Sequence, residues 1–316
     1  MPAFLLSNLT NIRYWTGLAL SAGLLVVTPR KLQLFVDARY TDMAERFGKN
    51  VAVRSMDDLP HVLRQIGSCG FESDDVTVQR MVVWKKKYPN TKFIRTTGIM
   101  EDYRRQKEED ELRLLRRAHR MTRELLRRVP SALRAHTTEE KLARQLLMWS
   151  LELGADGLSF DPIVAFGTHT SSPHHHPTSR ALQKGHIVQI DVGVRYKGYC
   201  GDMSEVYFTA PPTPLQKKIY DTLTEAKKKA MRAVRAGVST HMLDRIAREV
   251  LRREGIERAF THSLGHGIGL DVHEGVSLSQ KSPEKKLLAG EIITIEPGAY
   301  FSGRFGMRVE DMILVQ

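Results

Sequence analysis

Four carboxylates stand where a folded chain would not place them without a reason. Asp191 lies in "VQIDVGV", Asp202 in "GYCGDMS", Glu296 in "IITIEPG", and Glu310, followed by Asp311, in "MRVEDMILV". All of these stretches read as apolar strands. An ionised carboxylate in a half-buried strand is costly unless it is paired or bound to a cation. One such residue would pass as a turn or a strand-end cap; this many ask for a common explanation, and holding metal ions is the chemistry that supplies one.

The first pair can be placed by geometry. "RYKGYC" reads as a hairpin with Lys197–Gly198 as its two-residue loop. Tyr196 then faces Tyr199, and Asp202 faces Gly193. Side chains alternate along a strand, so Asp191 shares a face with position 193. Asp191 and Asp202 become diagonal neighbours, about 7–8 Å apart at the backbone. Carboxylates held that close repel unless cations sit between them. A three-residue loop would put them on opposite faces.

Histidines cluster twice. "THTSSPHHHPTS" carries His169, His174, His175 and His176, a composition that suggests metal binding or an expression tag. The run is internal, which argues against a tag. "THSLGHGIGLDVHEG" carries His262, His266 and His273 among Gly265, Gly267, Gly269 and Gly275. Such glycine density marks backbone packed close to something rather than a regular element. A single histidine is usually structural; three among these glycines point to a site.

These residues need a scaffold. "GLLVVTP", "LQLFVDA" and "VAVRS" read as strands, "YTDMAERFG" and "MDDLPHVLRQIG" as helices ending at Gly48 and Gly67, and "VTVQRMVVW" as a further strand. The alternation predicts a small α/β domain. Residues 104–129 read as one long amphipathic helix, with Leu112, Leu115, Ala118, Thr122, Leu125 and Val129 on its apolar face. Its polar face is rich in arginine, which we read as a solvated face paired with the Glu108–Glu111 run rather than a nucleic-acid stripe. "TTEEKLARQLLMWSLELG" follows as a helix capped by Thr137 or Thr138. Then come strands, two helices and two last strands: an α+β order with a largely antiparallel sheet. The boundary is predicted to give domains 1–103 and 104–316.

The 316 residues are enough for a sizeable core. Two cysteines exclude a disulfide scaffold and a cysteine-rich zinc site, and fit a reducing compartment. The apolar run 18–27 is too short to span a membrane and has the wrong flanks for a signal peptide, so the expected location is cytoplasmic. The net charge of +12 raises nucleic acid as a partner, but the basic residues are spread along the chain, which argues for surface composition instead.

The order PHHHP, IDVG with a second Asp in GYCGD, HSLGHGIG with DVHE, IEPG, then GMRVED resembles the metallopeptidase family of creatinase, prolidase, aminopeptidase P and methionine aminopeptidase. "NIRYWTGLALSAGLLVV" and "LFVDARYTDMA" resemble the creatinase-type N-terminal domain. The resemblance runs through nearly the whole chain. It implies a pita-bread catalytic domain behind a smaller α/β creatinase-like domain. It implies two divalent metal ions held by Asp191, Asp202, His266, Glu296 and Glu310, with Asp202 and Glu310 bridging. This oxygen-rich set with one imidazole suits Mn²⁺ first, with Co²⁺, Fe²⁺ or Zn²⁺ as alternatives. A water between the ions would be the nucleophile, with Glu296 as general base. His174, His262 and His273 would bind the scissile carbonyl and relay a proton to the leaving nitrogen. Arg308 would meet a substrate carboxylate or the inter-motif acids. His175 and His176 are left to the loop or pocket wall.

The N-terminal domain disfavours methionine aminopeptidase. The expected activity is therefore an Xaa-Pro aminopeptidase, taking a peptide substrate with proline in second position; an Xaa-Pro dipeptidase is the alternative. A homodimer is implied by the resemblance. A peptide- or nucleic-acid-binding relative of the same fold is the non-enzymatic rival, and the presence of all five ligand positions argues against it. The usual "DMTRT" appears here as "DMSEVYF", with Glu205 in place of an arginine.

Overall fold

The computed structural model describes residues 3–316. The chain divides into two compact units, Met1–Tyr103 and Arg104–Gln316. Among the described residues, no helix is long and apolar enough to cross a membrane.

The first unit runs β1 (Phe4–Leu6), α1 (Leu9–Thr16), β2 (Leu24–Val27), β3 (Leu32–Val36), α2 (Thr41–Phe47), β4 (Val51–Ser55), α3 (Leu59–Ile66), β5 (Ser68–Glu72), α4 (Val78–Lys87), β6 (Lys92–Thr96) and α5 (Ile99–Tyr103). Its sheet has the order β4-β3-β2-β1-β5-β6, antiparallel across β1, β2 and β3 and parallel toward both edges. The expected α/β layout is present, with one correction: "VTVQRMVVW" is not a strand but the helix α4. Thr77 caps it, its hydroxyl accepting from the Arg80 N–H at 3.1 Å. Trp84 anchors it in the core while Val78, Val82 and Val83 face outward. The β-branched content suggests a strand, and the cap and a single aromatic anchor override it. The elements β1, α1, β5, β6 and α5 have no counterpart among the expected ones.

The second unit begins with α6 (Glu109–Ala132) and α7 (Glu139–Glu152). Short strands follow: β7 (Gly157–Leu158), β8 (Ile163–Phe166), β9 (Ile187–Val192), β10 (Val194–Tyr196), β11 (Tyr199–Cys200) and β12 (Met203–Phe208). After α8 (Pro214–Ala233) and α9 (Thr240–Arg253) come β13 (His266–Gly267), β14 (Glu274–Ser277), β15 (Ile292–Ile295), β16 (Gly298–Phe301), β17 (Phe305–Arg308) and β18 (Asp311–Leu314). All strand pairing in this unit is antiparallel. Two apolar cores support the sheets: α6 and α7 pack on β8, β9 and β10, and α8 and α9 pack on β15, β16 and β17. Each fully buried leucine there, such as Leu125, Leu146, Leu223 or Leu243, contributes about 1.5–3 kcal/mol.

The long helix starts later than its apolar spacing suggests. Glu108 and Glu111 form a reciprocal cap, so residues 104–107 lie outside it. Their cations turn inward. Arg104 joins Asp271 at 2.6 Å and also reaches Glu274; Lys107 meets Glu274 at 2.8 Å; Arg105 meets Glu291 at 2.5 Å. On the arginine-rich face, the acidic run supplies, among the described residues, one of the expected ion pairs, Arg116 with Glu109 at 3.1 Å. Arg123 instead reaches Asp311 at 3.3 Å.

Candidate metal centre

The hairpin that brings the first two acids together has the expected loop. Tyr196 pairs with Tyr199, and both Lys197 and Gly198 have positive φ, as a two-residue turn requires. Beyond it, Met203 pairs with Val192 and Ser204 with Asp191, so the register continues unchanged into β9 and β12. Only Asp191 lies inside a strand. Asp202 falls between β11 and β12, Glu296 directly follows β15, and Glu310 falls between β17 and β18. The expectation that these acids interrupt continuous strands is corrected here: three of them sit where ladders end, and Pro297, which has no N–H to give, follows Glu296.

The glycines bring His266 close to this point. A Cβ on Gly265 would lie 2.0 Å from the Thr294 carbonyl oxygen, so only glycine lets this backbone press against β15. The His266 N–H donates to Thr294 Oγ1 at 3.1 Å. Its ring Nδ1 donates to the Gly267 carbonyl at 3.2 Å, leaving the Nε2 lone pair turned inward. That Nε2 lies 3.5 Å from Asp202 Oδ2 and 3.5 Å from Glu296 Oε1. Donor atoms of Asp202, His266 and Glu310 all fall within 4.8 Å of one another.

The electrostatics are strained. Burial, then the charge of Glu310, pushes the Asp202 carboxyl well above its ordinary value. Burial, then Glu296, does the same to Glu310. Burial also pushes Glu296 up to about 8, and pushes His266 down to about 3, so its imidazole is neutral and able to donate a lone pair. Asp191 Oδ1 and Asp202 Oδ1 are buried with no hydrogen-bond partner among the described residues. A pair of divalent cations would satisfy both oxygens and relieve the repulsion, so the residues present fit such a group.

A second layer fixes the acids. Arg308 reaches Asp191 Oδ2 through Nη2, the Tyr300 hydroxyl at 2.6 Å and the Pro173 carbonyl at 3.3 Å through Nη1, and Ser204 Oγ at 3.1 Å through Nε. Ser204 in turn donates to Glu310 Oε2 at 2.9 Å. Gln189 accepts from the Arg308 N–H at 2.7 Å and donates to its carbonyl at 3.2 Å, standing in for a missing strand partner. Sequence reasoning named Arg308 but missed Gln189, Ser204 and Tyr300. A signal existed for two of them: Gln189 lies two residues before Asp191 and Ser204 two after Asp202, each on the same strand face as its acid.

The remaining histidines divide. His174, His262 and His273 line one cavity of about 850 Å³ together with all five acid and histidine donors. Burial pushes His262 down to about 4. Its Nδ1 donates to the Ser263 carbonyl at 2.8 Å, and its Nε2 meets the Tyr300 hydroxyl at 3.1 Å. The His273 ring packs edge-on against His266 with centroids 4.0 Å apart. His175 and His176 both line the cavity wall, and His175 also turns its Nε2 to Glu139.

Known proteins share both the sequence and the fold. Residues 113–316 match Metallopeptidase family M24, and residues 1–106 match the Creatinase/Prolidase N-terminal domain. The Xaa-Pro dipeptidase of Pyrococcus horikoshii is 31% identical over 319 residues, covering 100% of this chain and 90% of that protein. The structure of an Xaa-Pro dipeptidase from Bacillus anthracis superimposes with a TM-score of 0.96 at 29% identity, covering 99% of this chain and 90% of that one. An X-Pro aminopeptidase from Thermotoga maritima does so with a TM-score of 0.90 at 30% identity, covering 100% and 93%.

Proposed function

Since the chain belongs to metallopeptidase family M24 and is a metal-dependent peptidase, we propose that it hydrolyses the peptide bond before proline, as an Xaa-Pro aminopeptidase. The observation that carries this reading is the convergence of Asp202, His266 and Glu310, with Asp191 and Glu296 beside them, around two buried carboxylate oxygens that have no protein partner among the described residues. Asp191, Asp202, His266, Glu296 and Glu310 would hold two divalent ions. Mn²⁺ suits this set first, then Co²⁺, Fe²⁺ or Zn²⁺. Such ions would acidify a water held between them and polarise the scissile carbonyl.

The chain's own residues do the rest. Glu296 takes the proton of the attacking water on a carboxylate oxygen and returns it to the proline nitrogen as the C–N bond breaks. The water oxygen ends on the acyl carbon, so the products are an amino acid and a peptide beginning with proline. His174 and His273 donate to the carbonyl oxygen as it gains charge. His262 lines the same cavity and would join them in binding the scissile carbonyl, its Nε2 meeting the Tyr300 hydroxyl.

Peptide length divides two readings. A dipeptide would bring the free carboxylate of its proline into a cavity already rich in acids. Among the described residues lining that cavity, Arg308 is the sole Lys or Arg, and its guanidinium is engaged by Asp191, Tyr300, Ser204 and Pro173. This supports substrates that continue past proline. The names of the relatives from Pyrococcus and Bacillus favour the dipeptidase reading instead. Assays on Ala-Pro and Ala-Pro-Ala with Mn²⁺, and after chelation, separate them. Faster cleavage of the tripeptide supports the aminopeptidase, preference for Ala-Pro supports the dipeptidase, and no metal-dependent cleavage of either rejects both. We further propose a homodimer, to be tested by light scattering.

A further inference from the structure

The buried carboxylate of Glu139 stands apart from the cluster of acids and has a different set of partners. It occupies the first turn of α7, and its side chain is fully buried. Oε1 accepts from the Phe166 N–H at 2.8 Å and from His169 Nδ1 at 2.9 Å. Oε2 accepts from His175 Nε2 at 2.9 Å, from the Thr178 N–H at 3.0 Å and from Thr178 Oγ1 at 2.7 Å. All of these donors come from one segment, residues 166–178.

Glu139, His169 and His175 have a donor set that a metal ion could use. The count of partners argues otherwise. A carboxylate offers about four lone-pair sites, and five donors already converge on this one. Burial would raise its pKa, but the hydrogen bonds from His175, Thr178, Phe166 and His169 hold the carboxyl below its ordinary value. This is the opposite of the acids at the catalytic centre, and it marks a hub that is complete without a cation.

What the hub holds is the His174 loop. His174 is exposed on the cavity wall, and no hydrogen bond holds its ring among the described residues. Its place is therefore set by the backbone on either side. On one side, the Pro173 carbonyl accepts from Arg308, and Thr170 Oγ1 accepts from the Gly306 N–H at 2.9 Å. On the other, His175 and Thr178 are tied to Glu139. We propose that Glu139 is a positioning residue that sets His174 over the catalytic centre by binding both ends of its loop. The role of His174 in this statement rests on the peptidase reading above.

The test uses the full Mn²⁺-loaded protein. Glu139→Gln replaces an acceptor oxygen with a donor amide that meets N–H groups; Glu139→Asp keeps the charge on a shorter arm. The Gln variant is expected to lose about 10–100-fold in kcat/KM on Ala-Pro-Ala with its metal content unchanged, and the Asp variant to recover part of the loss. Hydrogen exchange of the peptides carrying the Phe166 and Thr178 amides should speed up in the Gln variant. In a His174→Ala background, Glu139→Gln should change the rate by less than about twofold, since residues acting as one unit are not additive. Penalties that multiply in the double variant, or a Gln variant with normal rate and exchange, overturn the proposal. Should Glu139→Gln fail to fold, Thr178→Val and His175→Ala each remove one donor, and normal kinetics and exchange in both overturn it equally. A wild-type protein inactive on every Xaa-Pro peptide sinks the peptidase reading, while the exchange measurement, which needs no turnover, still decides whether Glu139 holds the loop.

Discussion

Arg308 covers one oxygen of Asp191 and leaves the other buried and bare: Nη2 donates to Oδ2, while Oδ1 has no partner among the described residues. The guanidinium thus aims the acid rather than neutralising it. Its other bonds, to Tyr300, Ser204 and Pro173, need the planar fork of arginine. Arg308→Lys should keep the charge but lose the aim. Metal affinity, read by calorimetric titration with Mn²⁺, is expected to fall by about 10–100-fold. Unchanged affinity would remove Arg308 from its role in orienting Asp191.

Glu310 presents a paired prediction. Glu310→Gln should reduce turnover to the level of the chelated enzyme, measured on Ala-Pro-Ala. The same change puts a neutral amide where burial, then the charges of Glu296 and Asp191, oppose an ionised carboxylate. The metal-free variant should therefore melt at least about 3 °C above the metal-free parent at pH 8. A Glu310→Gln variant that kept its activity would refute the ligand assignment.

The pH dependence of the metal-free protein has a determined sign. Glu296, pushed up to about 8, and Asp202 and Glu310, also raised, bind protons in the folded state that the unfolded chain has released. Their contribution to stability is lost as pH rises through the raised values. His262 and His266, depressed to about 4 and about 3, act the other way, but only below the ordinary histidine value of 6.5. Above it the carboxylates act alone. Melting temperature in a chelator should fall from about pH 6.5 to about pH 8.5, and saturating Mn²⁺ should flatten the decline. A metal-free melting temperature that rises across this window would contradict the account.

Gly265→Ala tests the close approach that delivers His266. The added Cβ meets a backbone oxygen in β15, which cannot turn aside as a side chain could. We expect a loss of about 3 kcal/mol, read as a lower melting temperature together with weakened Mn²⁺ binding. A neutral substitution would mean that this backbone contact is looser than described.

Much of this was legible in the sequence, for physical reasons. The two-residue Lys197–Gly198 loop sets the register of Asp191 and Asp202, because turn length and strand alternation leave one geometry. The helix ends at Gly48 and Gly67 were readable from their glycines, and the cap of α7 down to two neighbouring threonines, of which Thr138 is the one whose hydroxyl accepts. The helix α4 was not, since Thr77 and Trp84 outweigh a run of valines only in three dimensions. Nor was the division among the histidines: three adjacent residues look alike in sequence and all line the cavity, yet only His175 is tied to a glutamate thirty-six positions earlier. Contacts made at such separation leave no local pattern.

The acids at the ends of the strand ladders have one more consequence. No ladder runs through Glu296 or Glu310, and the neighbouring strands complete their pairing without either side chain. Selection can therefore act on the chemistry and on the scaffold separately. A descendant that lost either carboxylate would keep its sheets and its cavity, and would inherit a folded receptor for peptides with the hydrolytic step removed.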